Sequence, residues 1–136
     1  MAWKFELLTK PDTELLITLG CSAAFSARDD GTPELPFDPR SGELRADVWD
    51  RWLAWDPVQM VDAYAEALRG LRAVWIDAGT RDEWFLDLGA QAFRDGLARV
   101  GVPDDRVRFE LFEGTHMAID YRYPMALAWL AHRLSR

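Results

Sequence analysis

Two short apolar segments with a helix between them are the feature that most constrains the fold of this chain. Residues 73–76, Ala-Val-Trp-Ile, form a continuous apolar run of strand length, typical of a strand covered on both faces in a parallel sheet. Residues 107–112 alternate apolar and polar side chains, which predicts a second strand. Helical spacing predicts helices over 57–68, 84–100 and 123–134. This order indicates an α/β fold with right-handed crossovers and a parallel sheet.

The amino-terminal third is less regular. The apolar run 14–19 is short enough for a buried strand, although a helix continuing through Ala24 fits the residues as well. Residues 28–45 are rich in Asp, Gly, Pro and Ser, which indicates an irregular but ordered loop excursion. At this length the whole chain, residues 1–136, is predicted to form a single domain.

Charge and cysteine content limit the partners. Sixteen Lys and Arg against 23 Asp and Glu give a formal net charge of −7, which repels nucleic-acid phosphates and anionic lipid headgroups. We therefore expect neither nucleic acid nor a membrane as partner. Cys21 is the single cysteine and cannot form an internal disulfide, and the start of the chain has no long apolar run of the signal-peptide kind. These features predict a cytoplasmic protein.

Polar residues follow both predicted strands. The loop 77–83 comes after the first strand, and the loop 113–116 comes after the second. Such loops gather at the carboxyl edge of a parallel sheet, where neighbouring strands lie about 4.8 Å apart. A carboxylate from the first loop and the imidazole of His116 can therefore meet. A carboxylate that fixes the tautomer of an imidazole is the acid and base part of a hydrolase triad.

More than one carboxylate could serve as that acid. The candidates are Asp77, Asp82, Glu83 and Asp87. Any of them could instead stabilise the start of the following helix, where the helix dipole favours acids. A metal site formed by Asp77, Asp82, His116 and Asp120 lacks the His-x-x-x-His pattern or cysteine pair that would support it, so we predict neither a metal nor a cofactor. The other histidine, His132, is predicted to lie at the surface of the last helix.

The carboxyl-terminal part of the chain resembles esterases of the α/β-hydrolase superfamily, near esterase D and enterochelin-esterase-like proteins. The resemblance covers about residues 49–136 and rests on WIDAGTRDEWFLDLGAQAFRDGL followed by FELFEGTHMAIDYRYPMALAWLAHRL. It implies a partial α/β-hydrolase-type parallel sheet flanked by helices. In that family the triad acid stands in a Gly-x-x-Asp turn, which matches Asp82, and the triad base stands in a Gly-x-His turn, which matches His116. The implied reaction is hydrolysis of a small-molecule carboxylic ester through an acyl-serine intermediate.

The chain departs from this family at the nucleophile. The family's serine stands in Gly-x-Ser-x-Gly, which does not occur here. The nearest string, Gly-Cys-Ser-Ala-Ala, makes Ser22 either a candidate nucleophile or an ordinary core or turn serine, and the second interpretation is favoured. Residues 28–42 then form a loop in the place where the helix after the nucleophile should follow. We therefore predict the back half of a hydrolase, with little or no esterase activity. The alternative is a non-catalytic remnant that acts as an interaction module. In either case we expect a homo-oligomer, formed through an unpaired sheet edge or through the region from Trp49 to Trp55.

Overall fold

The computed structural model describes residues 10–135. Residues 1–9, on which the prediction about a signal peptide depends, lie outside the described part. The helices and strands are α1 Lys10–Phe25, α2 Ala46–Leu53, α3 Pro57–Met60, α4 Ala65–Gly70, β1 Val74–Gly79, α5 Leu86–Arg99, β2 Val107–Phe112 and α6 Arg122–Leu134. No helix among the described residues has both the length and the apolar character needed to cross a bilayer. The chain divides into two compact units, the first ending at Asp56 and the second beginning at Pro57. The prediction of a single domain stays a prediction.

Helix α1 decides between the two interpretations of the run 14–19, because the helical one is confirmed and the strand is wrong. Two hydroxyl groups bond backward along this helix. Thr18 Oγ1 donates to the Glu14 carbonyl at 2.8 Å, and Ser22 Oγ donates to the Thr18 carbonyl at 2.8 Å. Such bonds to the preceding turn satisfy polar groups inside a helix, so the β-favouring residues of this run do not require a sheet partner.

The segment 28–45 folds into turns that are tied to α2 by one carboxylate. Glu34 bonds Arg28 at 2.8 Å and Arg45 at 3.3 Å, and it also bonds Arg51 of α2. The hydrogen bonds from Arg28 and Arg51 lower the pKa of Glu34 to about 2. Isolated bridges join Ala27 to Pro33 and Phe37 to Leu44. The Glu34 carboxylate thus holds a segment that has little regular secondary structure of its own.

The second unit is mixed α/β, with a small two-stranded parallel sheet flanked by helices. β1 and β2 pair in parallel, with Val74 opposite Val107 and Gly79 opposite Phe112, which confirms the predicted strand order and direction. Helix α6 covers one face of the sheet, where its Trp129 packs edge-on against Trp75 of β1 with ring centroids 5.8 Å apart. Helix α5 packs mainly on β1. Both strands therefore have side chains that are at least partly covered, as the apolar run 73–76 predicts.

The helix predicted over 57–68 is interrupted between α3 and α4. Val61 lies in the interruption, is fully buried, and packs where a Cβ on Gly96 of α5 would come within 3.0 Å of its Cγ2. The neighbouring Asp62 bonds Arg99, also of α5. These contacts with α5 replace one helical turn, and local helical spacing could not reveal them.

The close approach of Gly79 to the loop after β2 sets the geometry of the carboxyl edge. A Cβ at this position would lie 2.5 Å from the Gly114 carbonyl oxygen and 2.7 Å from the Thr115 carbonyl oxygen. Both neighbours are backbone atoms and cannot rotate away as a side chain would. Only glycine therefore allows the two loops to lie this close together.

Gly79→Ala should lower the free energy of unfolding by about 1–3 kcal/mol, the usual range for an overpacked buried position. Gly89→Ala is the matched control, because Gly89 is an exposed residue of α5 with nothing within 4 Å of the added methyl group. That variant should be neutral or stabilising by up to about 1 kcal/mol, since Ala favours helix more than Gly does. Urea denaturation of the three proteins measures both effects. An unchanged midpoint for Gly79→Ala would contradict the close approach.

Candidate functional site

The loops after β1 and β2 leave the sheet side by side. Thr80 N–H donates to the Phe112 carbonyl at 2.9 Å, and Arg81 N–H donates to the Gly114 carbonyl at 2.9 Å. The side chains of Arg81 and Glu113 form an exposed ion pair at 3.2 Å. Backbone pairing between the two segments therefore continues for two residues beyond the end of β1.

Asp82 is held in a fixed orientation by the turn in which it lies. Its backbone N–H donates to the Gly79 carbonyl at 3.1 Å, and its Oδ1 accepts the Trp84 N–H at 2.8 Å. The Asp82 side chain is only 4% exposed. Because Trp84 N–H is used in this way and Phe85 takes a left-handed φ of 58°, α5 begins at Leu86 and not at the predicted residue 84.

His116 meets Asp82 at the carboxyl edge, so their predicted proximity is confirmed. His116 Nδ1 lies 3.2 Å from Asp82 Oδ2, and the His116 side chain is 40% exposed. Within residues 10–135, no group bonds the other ring nitrogen, Nε2. An ionised carboxylate can only accept a hydrogen bond, so in the neutral imidazole this contact places the proton on Nδ1 and leaves the lone pair on Nε2. The catalytic role of the two residues stays a prediction.

The side chain of Glu83 contacts the main chain of the same histidine. Its Oε2 accepts the His116 backbone N–H at 3.2 Å. The backbone N–H of Glu83 itself and, after it, the bond from His116 hold the pKa of the Glu83 carboxyl below its usual value. Adjacent carboxylates on one loop therefore bind His116 at two points, one on the ring and one on the backbone.

Arg122 is a buried residue of this region that the sequence analysis did not single out. Its Nε donates to Asp77 Oδ2 at 2.8 Å, its Nη1 donates to Glu110 Oε1 at 3.3 Å, and its guanidinium lies 4.5 Å from the centre of the Phe112 ring. The hydrogen bond between the Arg122 and Glu110 side chains lowers the pKa of Glu110 and raises the pKa of Arg122. Asp77, a rival candidate for the acid, is thus bonded to Arg122 and points to the α6 face. The sequence signal that could have pointed to Arg122 is the pair Asp77 and Glu110. The parallel register places these acids side by side, and two such carboxylates need a cation.

The interpretation of Ser22 as a nucleophile on a strand-to-helix elbow is wrong. Ser22 lies inside α1, has no exposed surface, and uses its hydroxyl proton on the Thr18 carbonyl. Near His116, the hydroxyl of Thr115 accepts the Met117 N–H at 3.3 Å. Across residues 10–135, no three His, Cys, Asp or Glu side chains are grouped so that they could hold a metal ion. His132 is exposed on α6, as predicted.

No family model and no curated protein matches this chain. The geometry of Asp82 and His116 is therefore the observation from which a function has to be argued.

Asp82→Asn should reverse the tautomer of His116. The amide oxygen is expected at the Oδ1 position, because the Trp84 N–H at 2.8 Å needs an acceptor there. The amide NH₂ then faces Nδ1 and donates to it, so the ring proton moves to Nε2. The ¹⁵N shifts of the two ring nitrogens, recorded at a pH high enough for the ring to be neutral, measure this change. The other histidine of the chain, His132, is the internal control and should not respond. An Nδ1–H tautomer in both proteins would contradict the assigned geometry.

Proposed function

We propose that this chain carries the acid and base of a carboxylic ester hydrolase of the serine type. Asp82 is the orienting acid, and His116 is the general base that later acts as general acid. The observation that supports this is the 3.2 Å contact between His116 Nδ1 and Asp82 Oδ2, on a carboxylate whose other oxygen accepts the Trp84 N–H. The Trp84 N–H occupies Asp82 Oδ1, so Oδ2 faces His116, and no group in the described part of the chain bonds Nε2.

The chemistry follows from the two ends of the imidazole. Nε2 accepts the proton of an attacking hydroxyl group, and the imidazolium that forms is stabilised by the Asp82 carboxylate. The same nitrogen then gives the proton to the departing alcohol. Because the Asp82 side chain is only 4% exposed, water weakens its attraction to the imidazolium less than it would at the surface. These steps need no cofactor.

The pair needs a nucleophile from another segment, and Ser22 does not supply it because it is buried within α1. The chain then represents the carboxyl-terminal part of an α/β-hydrolase-type sheet, and strands outside it would carry the serine. The substrate class is a small-molecule ester. A cytoplasmic setting fits the single cysteine, which needs no oxidising compartment.

Hydrolysis of p-nitrophenyl acetate by the purified chain tests the proposal. We expect a slow rate, far below the median of about 10 s⁻¹ for enzymes, because triad members act as a unit. The rate that remains should fall to the buffer background in His116→Gln and drop strongly in Asp82→Asn. Ser22→Ala and His132→Gln are the controls and should keep the wild-type rate. A wild-type rate equal to that of His116→Gln would overturn the catalytic role.

The alternative function is that of a non-catalytic interaction module. It is favoured by exposed apolar side chains near the pair in sequence, with Phe85 69% exposed and Met117 68% exposed. Large apolar residues in such positions are typical of contact surfaces when they form one patch. If His116→Gln changes neither the rate of ester hydrolysis nor the oligomeric state, this alternative is favoured.

We also propose that the chain self-associates. The described sheet consists of two strands, so each strand has an outer edge that no other described strand covers. Leu88 of α5 and Leu127 of α6 are 60% and 66% exposed and add apolar surface to the same unit. We expect sedimentation equilibrium at micromolar concentration to show a dimer, with Leu127→Lys shifting it toward monomer. A monomer of 15.6 kDa at all concentrations would contradict this expectation.

A further inference from the structure

Glu83 stands out because it contacts the candidate base without contacting its ring. The Glu83 carboxylate accepts the His116 backbone N–H at 3.2 Å, while the preceding residue, Asp82, binds Nδ1 at 3.2 Å. The side chain of a histidine can reach a fixed acceptor only if its own backbone is fixed. The contact of Glu83 with the main chain is therefore coupled to the contact of Asp82 with the ring.

The segment that carries His116 needs such a restraint. The structure assigns it no helix or strand between Phe112 and Arg122, and Ala118 takes a left-handed φ of 60° two residues after His116. A left-handed conformation is unfavourable for a residue with a Cβ, so the segment is held against its own preference. A hydrogen bond from outside the segment opposes its relaxation.

Glu83 itself is well placed to act as a fixed anchor. It lies between Asp82, whose N–H bonds the Gly79 carbonyl at 3.1 Å, and Trp84, whose N–H bonds Asp82 Oδ1 at 2.8 Å. The backbone on both sides of Glu83 is therefore bonded within its own turn. The residue is exposed, so its replacement does not open the core.

We propose that Glu83 is a positioning residue for His116: its carboxylate holds the His116 backbone N–H so that the ring keeps its Nδ1 contact with Asp82. The catalytic meaning of this role rests on the proposed function, whereas the positioning itself does not. Glu83 need not touch a substrate. Its effect passes through the His116 main chain to the tautomer and orientation of the imidazole.

Two substitutions separate the hydrogen bond from the charge. Glu83→Gln removes the charge but keeps an oxygen that can accept the His116 N–H, whereas Glu83→Ala removes both. Glu113→Ala is the matched control, because Glu113 is an exposed carboxylate of the neighbouring loop that pairs with Arg81 at 3.2 Å. The full-length chain is used for each protein.

The first readout is the state of His116, measured by hydrogen exchange of its amide and by the ¹⁵N shifts of its ring. In Glu83→Ala we expect faster hydrogen exchange at the His116 amide, by about two- to tenfold for one exposed hydrogen bond, and loss of the Nδ1–H signature in the ¹⁵N shifts. Glu83→Gln should restore both toward wild type, and Glu113→Ala should change neither. An unchanged signature in Glu83→Ala, or an equal loss in Glu83→Gln, would overturn the proposal.

The second readout is hydrolysis of p-nitrophenyl acetate, and it separates this proposal from the proposed function. If the wild-type rate depends on His116, Glu83→Ala should lower it by about two- to tenfold and Glu83→Gln should rescue it. If no rate depends on His116 while the tautomer signature still follows Glu83, the proposed function fails and the positioning role stands. If the rate depends on His116 but neither readout responds to Glu83→Ala, the positioning role fails and the proposed function stands.

Discussion

The contact between residue 79 and the loop after β2 is the constraint on which the carboxyl edge depends. A single Cβ there would come within 2.5 Å of the Gly114 carbonyl oxygen. With hydrogen at that position, the two loops approach closely enough for Arg81 N–H to bond the Gly114 carbonyl at 2.9 Å. Asp82 follows one residue later and His116 two residues after Gly114. The spacing between acid and base is thus set by the backbone before either side chain is considered.

Arg122 provides the second constraint, and it is electrostatic. Asp77 and Glu110 stand opposite each other in the parallel register, on strands whose faces are largely covered. Two carboxylates in such positions repel each other unless a cation lies between them. Arg122 supplies that cation from the first turn of α6 and is only 5% exposed. The end of the segment that carries His116 is therefore fastened to both strands.

The sequence was most informative where the period of the pattern and the length of the segment agreed. The strand 107–112 followed from local pattern. The meeting of His116 with a carboxylate of the loop 77–83 followed from the rule that parallel strands present their carboxyl ends together, and the resemblance to the esterases singled out Asp82 among the candidates. The run 14–19 was ambiguous, because short apolar runs fit either a helix or a strand. The interruption of the helix at Val61 and the binding of Asp77 by Arg122 depend on contacts distant in sequence. Glu83 could not be separated from its acidic neighbours, because its partner is a backbone N–H.

The parallel pairing of β1 and β2 also bears on how the molecule folds. Asp82 and His116 are 34 residues apart in the chain, and an intervening helix has to be accommodated before the strands can align. Closing so long a segment costs chain entropy before any contact compensates for it, and contacts of this kind slow folding. A register error of one residue would turn the side chains of a strand to the opposite face. We therefore expect the hydrogen bond between imidazole and carboxylate to form late in folding, so that its appearance would mark the molecules whose two strands have reached the correct register.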